Sequence, residues 1–199
     1  MSRFYKTLRA IFRPIAKIIF NIKCVGIENV PKDGAFMLCC NHTSMLDILL
    51  LIAFCPRQIS FMAKAELFKI PVLSSIFKKM GAFPVNRGNR DISSIRHSMR
   101  IIKNGGVLGI FPEGKRYRTG PMREVKTGCA LIAAKTGADV LPVSIYKEGK
   151  THPFRKVTLR FGEIIKNADL CNGDASKDKL IEASNEIFKS ITDLWELKF

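Results

Sequence analysis

The chain has 199 residues, which is enough for one full hydrophobic core and somewhat short for two. Its 33 Lys and Arg residues against 17 Asp and Glu give a net charge of +16, so polyanions are the expected partners: nucleic acid, an anionic membrane or a phosphorylated substrate. The hydrophobic share of 47% argues against a disordered basic tail and favours lipid over nucleic acid. No nucleic-acid-binding motif accompanies the charge, so no specific nucleic-acid partner is expected.

The cysteines and histidines do not form a metal-binding pattern. The six cysteines include no CxxC pair, and the three histidines lie far apart without ligand spacing to the cysteines. We therefore expect no metal site and a reducing compartment. The longest apolar run, residues 48–55, is far shorter than the roughly 18 to 20 residues that span a bilayer. Because basic residues also interrupt the N-terminus, we expect neither a transmembrane helix nor a signal peptide, and a cytoplasmic protein.

Residues 1–22 are predicted to form an amphipathic helix. At about 100° per residue, five basic residues gather within one third of the circumference and apolar residues occupy most of the opposite side. The basic residues are Arg3, Lys6, Arg9, Arg13 and Lys17, and the apolar ones are Phe4, Leu8, Ile11, Phe12, Ile15, Ile18, Ile19 and Ile22. This segregation is typical of a helix at an anionic membrane surface. The alternative is an ordinary amphipathic helix packed on the domain.

From residue 35 onward, apolar runs of strand length alternate with helical patterns. Strands are predicted at residues 35–40, 59–63, 82–85, 107–111, 140–145 and 156–162, and helices at residues 45–54, 66–79, 91–103, 126–135 and 177–197. Such alternation predicts an α/β fold with a largely parallel central sheet flanked by helices. We expect residues 23–199 to form a single domain that carries the chemistry.

Polar residues follow three of the predicted strands. His42 and Asp47 come after the first strand, Arg87 after the third, and Glu113 after the fourth. Ligands of open α/β sheets bind at the carboxyl ends of the strands, so these side chains should meet at one edge if the strands are parallel neighbours.

The spacing between His42 and Asp47 has a specific consequence. Five residues correspond to about 140° on a helix, so the two cannot share a helix face. His42 should instead lie in the strand-to-helix turn, with Thr43 or Ser44 as the N-cap and Asp47 in the first turn of the helix. A carboxylate bonded to one imidazole nitrogen leaves the other free to accept a hydroxyl proton, which is a general base without a nucleophile. Taken alone, the motif also fits a capped turn with a satisfied histidine.

Four ordered blocks resemble the glycerophospholipid acyltransferase family, in particular its bacterial members that acylate 1-acyl-sn-glycerol-3-phosphate. The blocks are NHTSMLD at residues 41–47, GAFPVNR at 81–87, FPEG at 111–114 and VLPVSI at 140–145. The resemblance extends over about residues 22–162. It implies that His42 and Asp47 are the catalytic pair and that the second and third blocks bind the acceptor.

Within the acceptor-binding blocks, the resemblance implies that Arg87 contacts the phosphate and that Glu113, followed by Gly114, helps to hold the glycerol phosphate. The family usually continues the third block with Thr or Ser and then Arg, whereas this chain has Lys115 and then Arg116. Lysine supplies a point charge and three donors, so Lys115 or Arg116 is expected to bind phosphate together with Arg87, while acceptor choice stays open. The alternative is that these cations are solvated loop residues.

The expected reaction is acyl transfer from a thioester of acyl-carrier protein or coenzyme A to the sn-2 hydroxyl of 1-acyl-sn-glycerol-3-phosphate, forming phosphatidic acid. No other cofactor is implied. The protein is expected at the cytoplasmic face of the cell membrane as a peripheral protein. Two alternatives remain open: another acceptor, such as glycerol-3-phosphate or a different lysolipid, and a non-catalytic membrane-binding module of the same fold.

Overall fold

The structure is a computed structural model that describes residues 1–85, 91–117, 122, 124–147 and 156–197. Its helices are α1 (Arg3–Ile19), α2 (Leu46–Phe54), α3 (Pro71–Lys79), α4 (Ile92–Lys103), α5 (Gly128–Thr136), α6 (Asn167–Leu170) and α7 (Lys177–Glu196). Its strands are β1 (Ile22–Val25), β2 (Phe36–Cys40), β3 (Ile59–Lys64), β4 (Phe83–Val85), β5 (Val107–Ile110), β6 (Val140–Lys147) and β7 (Val157–Phe161). Among these described residues, two short 3₁₀ helices cover Ile27–Asn29 and Ala65–Lys69.

The described strands form one sheet in the order β1-β7-β6-β2-β5-β3-β4. Strands β2 to β6 run parallel to one another, whereas β7 is antiparallel to β6 and parallel to β1. Helices α1, α2 and α3 cover one face of the sheet, and α4 to α7 cover the other. The predicted α/β class with a largely parallel, doubly covered sheet is therefore confirmed. Strand β2 lies between β5 and β6, so the residues that follow it occupy the middle of the carboxyl edge.

The predicted helix over residues 66–79 is wrong in its first part. The segment is divided into the 3₁₀ helix Ala65–Lys69 and the helix α3, which begins at Pro71. Ile70 is extended, with φ −89° and ψ 113°, because the proline ring disfavours helical geometry in the residue before it. Proline is well suited to the first position of a helix, where its missing N–H is not needed.

Helix α1 packs along α2, and its surface is divided into three parts. Tyr5 and Ala16 are buried against the domain, and the Tyr5 hydroxyl accepts a hydrogen bond from the Ile59 amide at 3.3 Å. The basic side chains lie on one flank of this contact, and exposed apolar side chains lie on the other. The helix ends at Ile19, and Ile22 already begins β1, where it pairs with Val157. Within the described ranges, no helix has the length and apolar content to cross a bilayer.

Gly109 in β5 makes room for an aromatic ring beside the carboxyl edge. Its register partner on β3 is Phe61, and a Cβ atom at position 109 would lie 2.3 Å from the Phe61 ring. Phe61 in turn stacks on Phe111, with ring centroids 5.8 Å apart. The absence of a side chain at position 109 therefore leaves room for the Phe61 ring of β3, on which Phe111 stacks at the end of β5.

We predict that Gly109→Ala destabilises the fold by about 1–3 kcal/mol, because the added methyl group overpacks the Phe61 ring in a core that cannot expand freely. The measurement is urea-induced unfolding of the variant and the wild type. Gly128→Ala is the matched control, since a Cβ there meets nothing within 4 Å and the position starts a helix. Equal stability of the Gly109→Ala protein and the wild type would contradict this account of β5.

Candidate active site

The turn between β2 and α2 is organised by the side chain of Asp47. Its Oδ2 lies 2.9 Å from His42 Nδ1 and also accepts hydrogen bonds from the amides of Thr43 at 2.6 Å and Ser44 at 2.7 Å. His42 therefore lies in the turn and Asp47 in the first turn of the helix, as the spacing predicts. The Ser44 hydroxyl accepts the Leu46 amide at 3.2 Å, as a cap would, although the helix begins one residue later than predicted. The cap position falls at Met45, and the Asp47 carboxylate satisfies the amides of the turn.

The ring of His42 is held by packing as well as by Asp47. It stacks on Phe111, with centroids 4.0 Å apart and planes inclined by 19°, and its residue is only 6% exposed. The His42 carbonyl accepts a hydrogen bond from the Tyr117 amide at 2.9 Å. With Nδ1 donating to the carboxylate, Nε2 is the nitrogen that carries the free lone pair.

Glu113 links the loop after β5 to the same turn. Its Oε1 accepts the His42 amide at 2.7 Å, whereas Oε2 is buried and has no hydrogen-bond partner among the described residues. Burial, together with the negative charge of Asp47, raises the pKa of Glu113 to about 7 against the lowering effect of the His42 amide. The carboxyl group is therefore partly protonated near neutral pH. Its second oxygen can donate to or accept from a bound hydroxyl group.

Two further polar residues lie at this turn: Asn41, which the first block contains without an assigned role, and Lys147, which no block contains. The Asn41 side chain bridges to the backbone of Ile145 in β6, accepting from its amide at 2.8 Å and donating to its carbonyl at 3.3 Å. Lys147, at the end of β6, has Nζ 3.8 Å from Asp47 Oδ1, and both side chains are buried. The sequence predicts that this strand ends at residue 145, but it continues two residues further. In the sequence, Lys147 is recognisable only as a lysine that closely follows a predicted apolar strand. Its place beside the His42 turn becomes clear once that strand is known to pair in parallel with β2.

Two of the predicted phosphate-binding residues, Lys115 and Arg116, lie in the loop after β5. Lys115 forms an ion pair with Glu124 at 2.8 Å and lies over the Tyr117 ring at 5.0 Å, and both Lys115 and Arg116 are exposed. Gly114, between these cations and Glu113, has a φ of +66°, a conformation that glycine adopts readily.

Arg87 lies outside the described residues. The strand before it, β4, is at the edge of the sheet and is separated from β5 by β3. Its carboxyl end is therefore on the same edge as His42 but not beside it. Lys64 at the end of β3 occupies the intervening position, is half exposed, and lies 3.2 Å from Glu66. The sequence motifs do not indicate Lys64, because only the strand order places it between the two predicted acceptor-binding segments.

Comparison with known proteins places this arrangement in a family. The family described as Acyltransferase matches residues 21–146, which include His42, Asp47 and Glu113. The 1-acyl-sn-glycerol-3-phosphate acyltransferase of Bacillus subtilis is 31% identical over 200 residues, covering 96% of this chain and 96% of that protein. An enzyme of the same name from Borreliella burgdorferi is 35% identical over 125 residues, covering 61% of this chain and 49% of that protein.

A solved structure agrees with these matches. The crystal structure of the 1-acyl-sn-glycerophosphate acyltransferase PlsC from Thermotoga maritima superimposes with a TM-score of 0.76 at 29% identity, covering 98% of this chain and 80% of that one. The likeness therefore extends over the sheet, the covering helices and the turn that holds His42. On the extent of the family match and of the Bacillus subtilis alignment, the chain belongs to the acyltransferase family.

Proposed function

We propose that the protein transfers a fatty acyl group from an acyl thioester to the sn-2 hydroxyl of 1-acyl-sn-glycerol-3-phosphate, forming phosphatidic acid. The acceptor is taken from the names of the similar enzymes of Bacillus subtilis and Borreliella burgdorferi. The observation that carries the chemistry is the buried His42–Asp47 pair, whose 2.9 Å contact directs Nδ1 to the carboxylate and leaves Nε2 as a base.

In the proposed mechanism, His42 Nε2 removes the proton of the acceptor hydroxyl as its oxygen attacks the thioester carbonyl. Asp47 stabilises the imidazolium that forms. The tetrahedral intermediate then collapses with cleavage of the carbon–sulfur bond, and the imidazolium returns the proton to the leaving thiolate. General-base catalysis contributes roughly 10² to 10⁴ in rate, so the positioning of both substrates must contribute much of the remainder.

Glu113 is the proposed contact for the glycerol phosphate. Its Oε1 accepts the His42 amide, which places the buried Oε2 of the same carboxyl group next to the His42 turn. Arg87, Lys115 and Arg116 are the proposed phosphate contacts, and we add Lys64 because it lies at the same edge between β5 and β4. The Lys115–Glu124 pair is exposed, so phosphate can replace the carboxylate at a small cost.

The acyl donor is proposed to be a thioester of acyl-carrier protein or coenzyme A, with no further cofactor. Both donors are anionic, and the charge of +16 suits either one. A relative that acylates glycerol-3-phosphate or another lysolipid would use the same His42 and Asp47, so acceptor profiling is part of the test.

We predict that His42→Ala lowers phosphatidate formation by a factor of 10² or more, because the general base is lost. Purified wild type and variant are incubated with lysophosphatidate micelles and each acyl donor separately, and phosphatidate is quantified by mass spectrometry. His97→Phe is the matched control: His97 is exposed on α4 and stacks on Phe83 with ring centroids 4.4 Å apart, a contact that an aromatic ring keeps, so the variant should retain full activity.

If folded wild-type protein gives no product with either donor, lysophosphatidate is not the acceptor. The assay would then be repeated with glycerol-3-phosphate and other lysolipids. Equal product from the wild type and His42→Ala would remove His42 from the mechanism.

We further propose that the protein is peripheral at the cytoplasmic face of an anionic membrane and contacts it through α1. The apolar flank of this helix carries four exposed side chains: Phe4, Ile11, Ile15 and Ile18. They lie within roughly 60° of the circumference at about 100° per residue, and Ile18 is 75% exposed. A continuous apolar stripe of this kind on a basic protein is typical of an interfacial helix.

The apolar flank of α1 continues onto α3. Val72, Ile76 and Lys79 have the spacing of one helix face, and Val72 is 70% exposed. Lys79 Nζ lies 5.7 Å over the Phe4 ring, which brings this face next to α1. Within the basic flank of α1, Arg9 Nε donates to the Ala53 carbonyl at 3.1 Å and Arg13 lies 5.8 Å over the Phe54 ring. The other basic residues of the flank add favourable charge, because a Lys or Arg near an anionic surface contributes ~1 kcal/mol.

We predict that Ile11→Gln/Ile15→Gln/Ile18→Gln weakens binding to phosphatidylglycerol-containing vesicles more than tenfold, because each exposed isoleucine loses its apolar burial in the interface. Glutamine keeps a high helix propensity, so α1 should be retained. Vesicle flotation is the measurement, and Ile181→Gln on α7 is the control with a similarly exposed isoleucine. Equal flotation of the triple variant and the wild type would contradict the role of α1.

A further inference from the structure

A buried cation lies next to the His42–Asp47 pair. The side chain of Lys147 is only 3% exposed, and its Nζ is 3.8 Å from Asp47 Oδ1. His42 contacts the other carboxylate oxygen, Oδ2. Asp47 therefore lies between an imidazole and an ammonium group. Because Lys147 is buried at the end of β6, it is placed to act on Asp47 rather than on a substrate.

Burying a lysine at this position carries a cost that only a specific partner offsets. Burial lowers the pKa of Lys147, and the Coulombic attraction and hydrogen bond of Asp47 act in the opposite direction. A buried ion pair contributes little to stability by itself compared with an apolar pair of the same size. The local charge that Lys147 supplies is a more direct reason for its presence.

The charge has a defined effect on the base. An uncompensated carboxylate beside His42 would favour the imidazolium and thereby raise the pH below which the base is already protonated. A positive charge on the far side of Asp47 reduces that field. The other ionisable groups that face the pair in the described part of the chain are Glu113 from the loop after β5 and the buried Cys40 thiol of β2. Neither of these two groups can carry a positive charge, whereas the Lys147 ammonium group beside Asp47 does.

We propose that Lys147 is a positioning residue for acyl transfer: its ammonium group offsets part of the Asp47 charge and thereby limits the proton affinity of the His42 imidazole. This inference rests on the proposed function of the His42 turn. It assigns to β6 a part in the reaction that the acyltransferase motif around His42 does not contain.

The test is the pH dependence of kcat/KM for phosphatidate formation between pH 5 and 9 in wild type, Lys147→Met, Lys147→Gln and Lys147→Arg. Loss of the positive charge raises the proton affinity of the His42–Asp47 pair. The acid limb should therefore move to higher pH in both neutral variants, by about one pH unit for a charge at this separation. Lys147→Arg keeps the charge and should return the limb toward that of the wild type. KM for lysophosphatidate should stay within about twofold, since a buried ammonium does not touch the acceptor.

Thermal unfolding identifies which variants are folded, and Lys147→Gln provides a second neutral side chain that keeps hydrogen-bonding capacity. If the wild type is active but the acid limb is unshifted in a folded neutral variant, the role of Lys147 is wrong and the proposed function still stands. The same holds for a rise in KM without a shift of the limb. Absence of product from the wild type would overturn the proposed function and, with it, this inference.

Discussion

The buried carboxylate of Asp47 is the constraint on which the geometry of this site depends. An ionised carboxylate without water is costly unless donors surround it. Here the donors to Oδ2 are the His42 ring and the amides of Thr43 and Ser44, and the Lys147 ammonium group lies 3.8 Å from Oδ1. The same contacts that make burial of Asp47 tolerable also fix the path of the turn and the tautomer of His42. The stability of the turn and the orientation of His42, the proposed base, therefore have one physical origin.

The topology of the sheet explains why the other groups meet at this turn. Strand β2 lies between β5 and β6, and all three run in the same direction, so the residues that follow them share one edge. Glu113 follows β5 and bonds the His42 amide, while Lys147 ends β6 and faces Asp47. The apolar strands supply the rigid support, and the aromatic contact from Phe111 fixes the imidazole plane. The proposed acyl transfer, which has no covalent intermediate, requires such precise placement of its base by rigid elements.

The class of fold and the location of His42 and Asp47 follow from the sequence, because both depend on local patterns: apolar runs, helical periodicity and a five-residue spacing. The split at Pro71 was predictable from the proline itself, since the preceding residue is driven out of helical geometry. The contributions of Asn41, Lys64 and Lys147 were not, because they depend on which strands are neighbours and how far β6 extends. Strand order is a tertiary property, and the pattern of apolar runs in one sequence does not specify it.

The most direct test of this account is the tautomer of His42, which ¹⁵N NMR of the histidine-labelled protein measures. The chain has only three histidines, so variants at His97 and His152 assign the signals. We expect the neutral His42 ring to carry its proton on Nδ1 and to leave Nε2 bare, and we expect Asp47→Asn to lose this preference. A proton on Nε2 in the wild type, or an unchanged tautomer in Asp47→Asn, would contradict it.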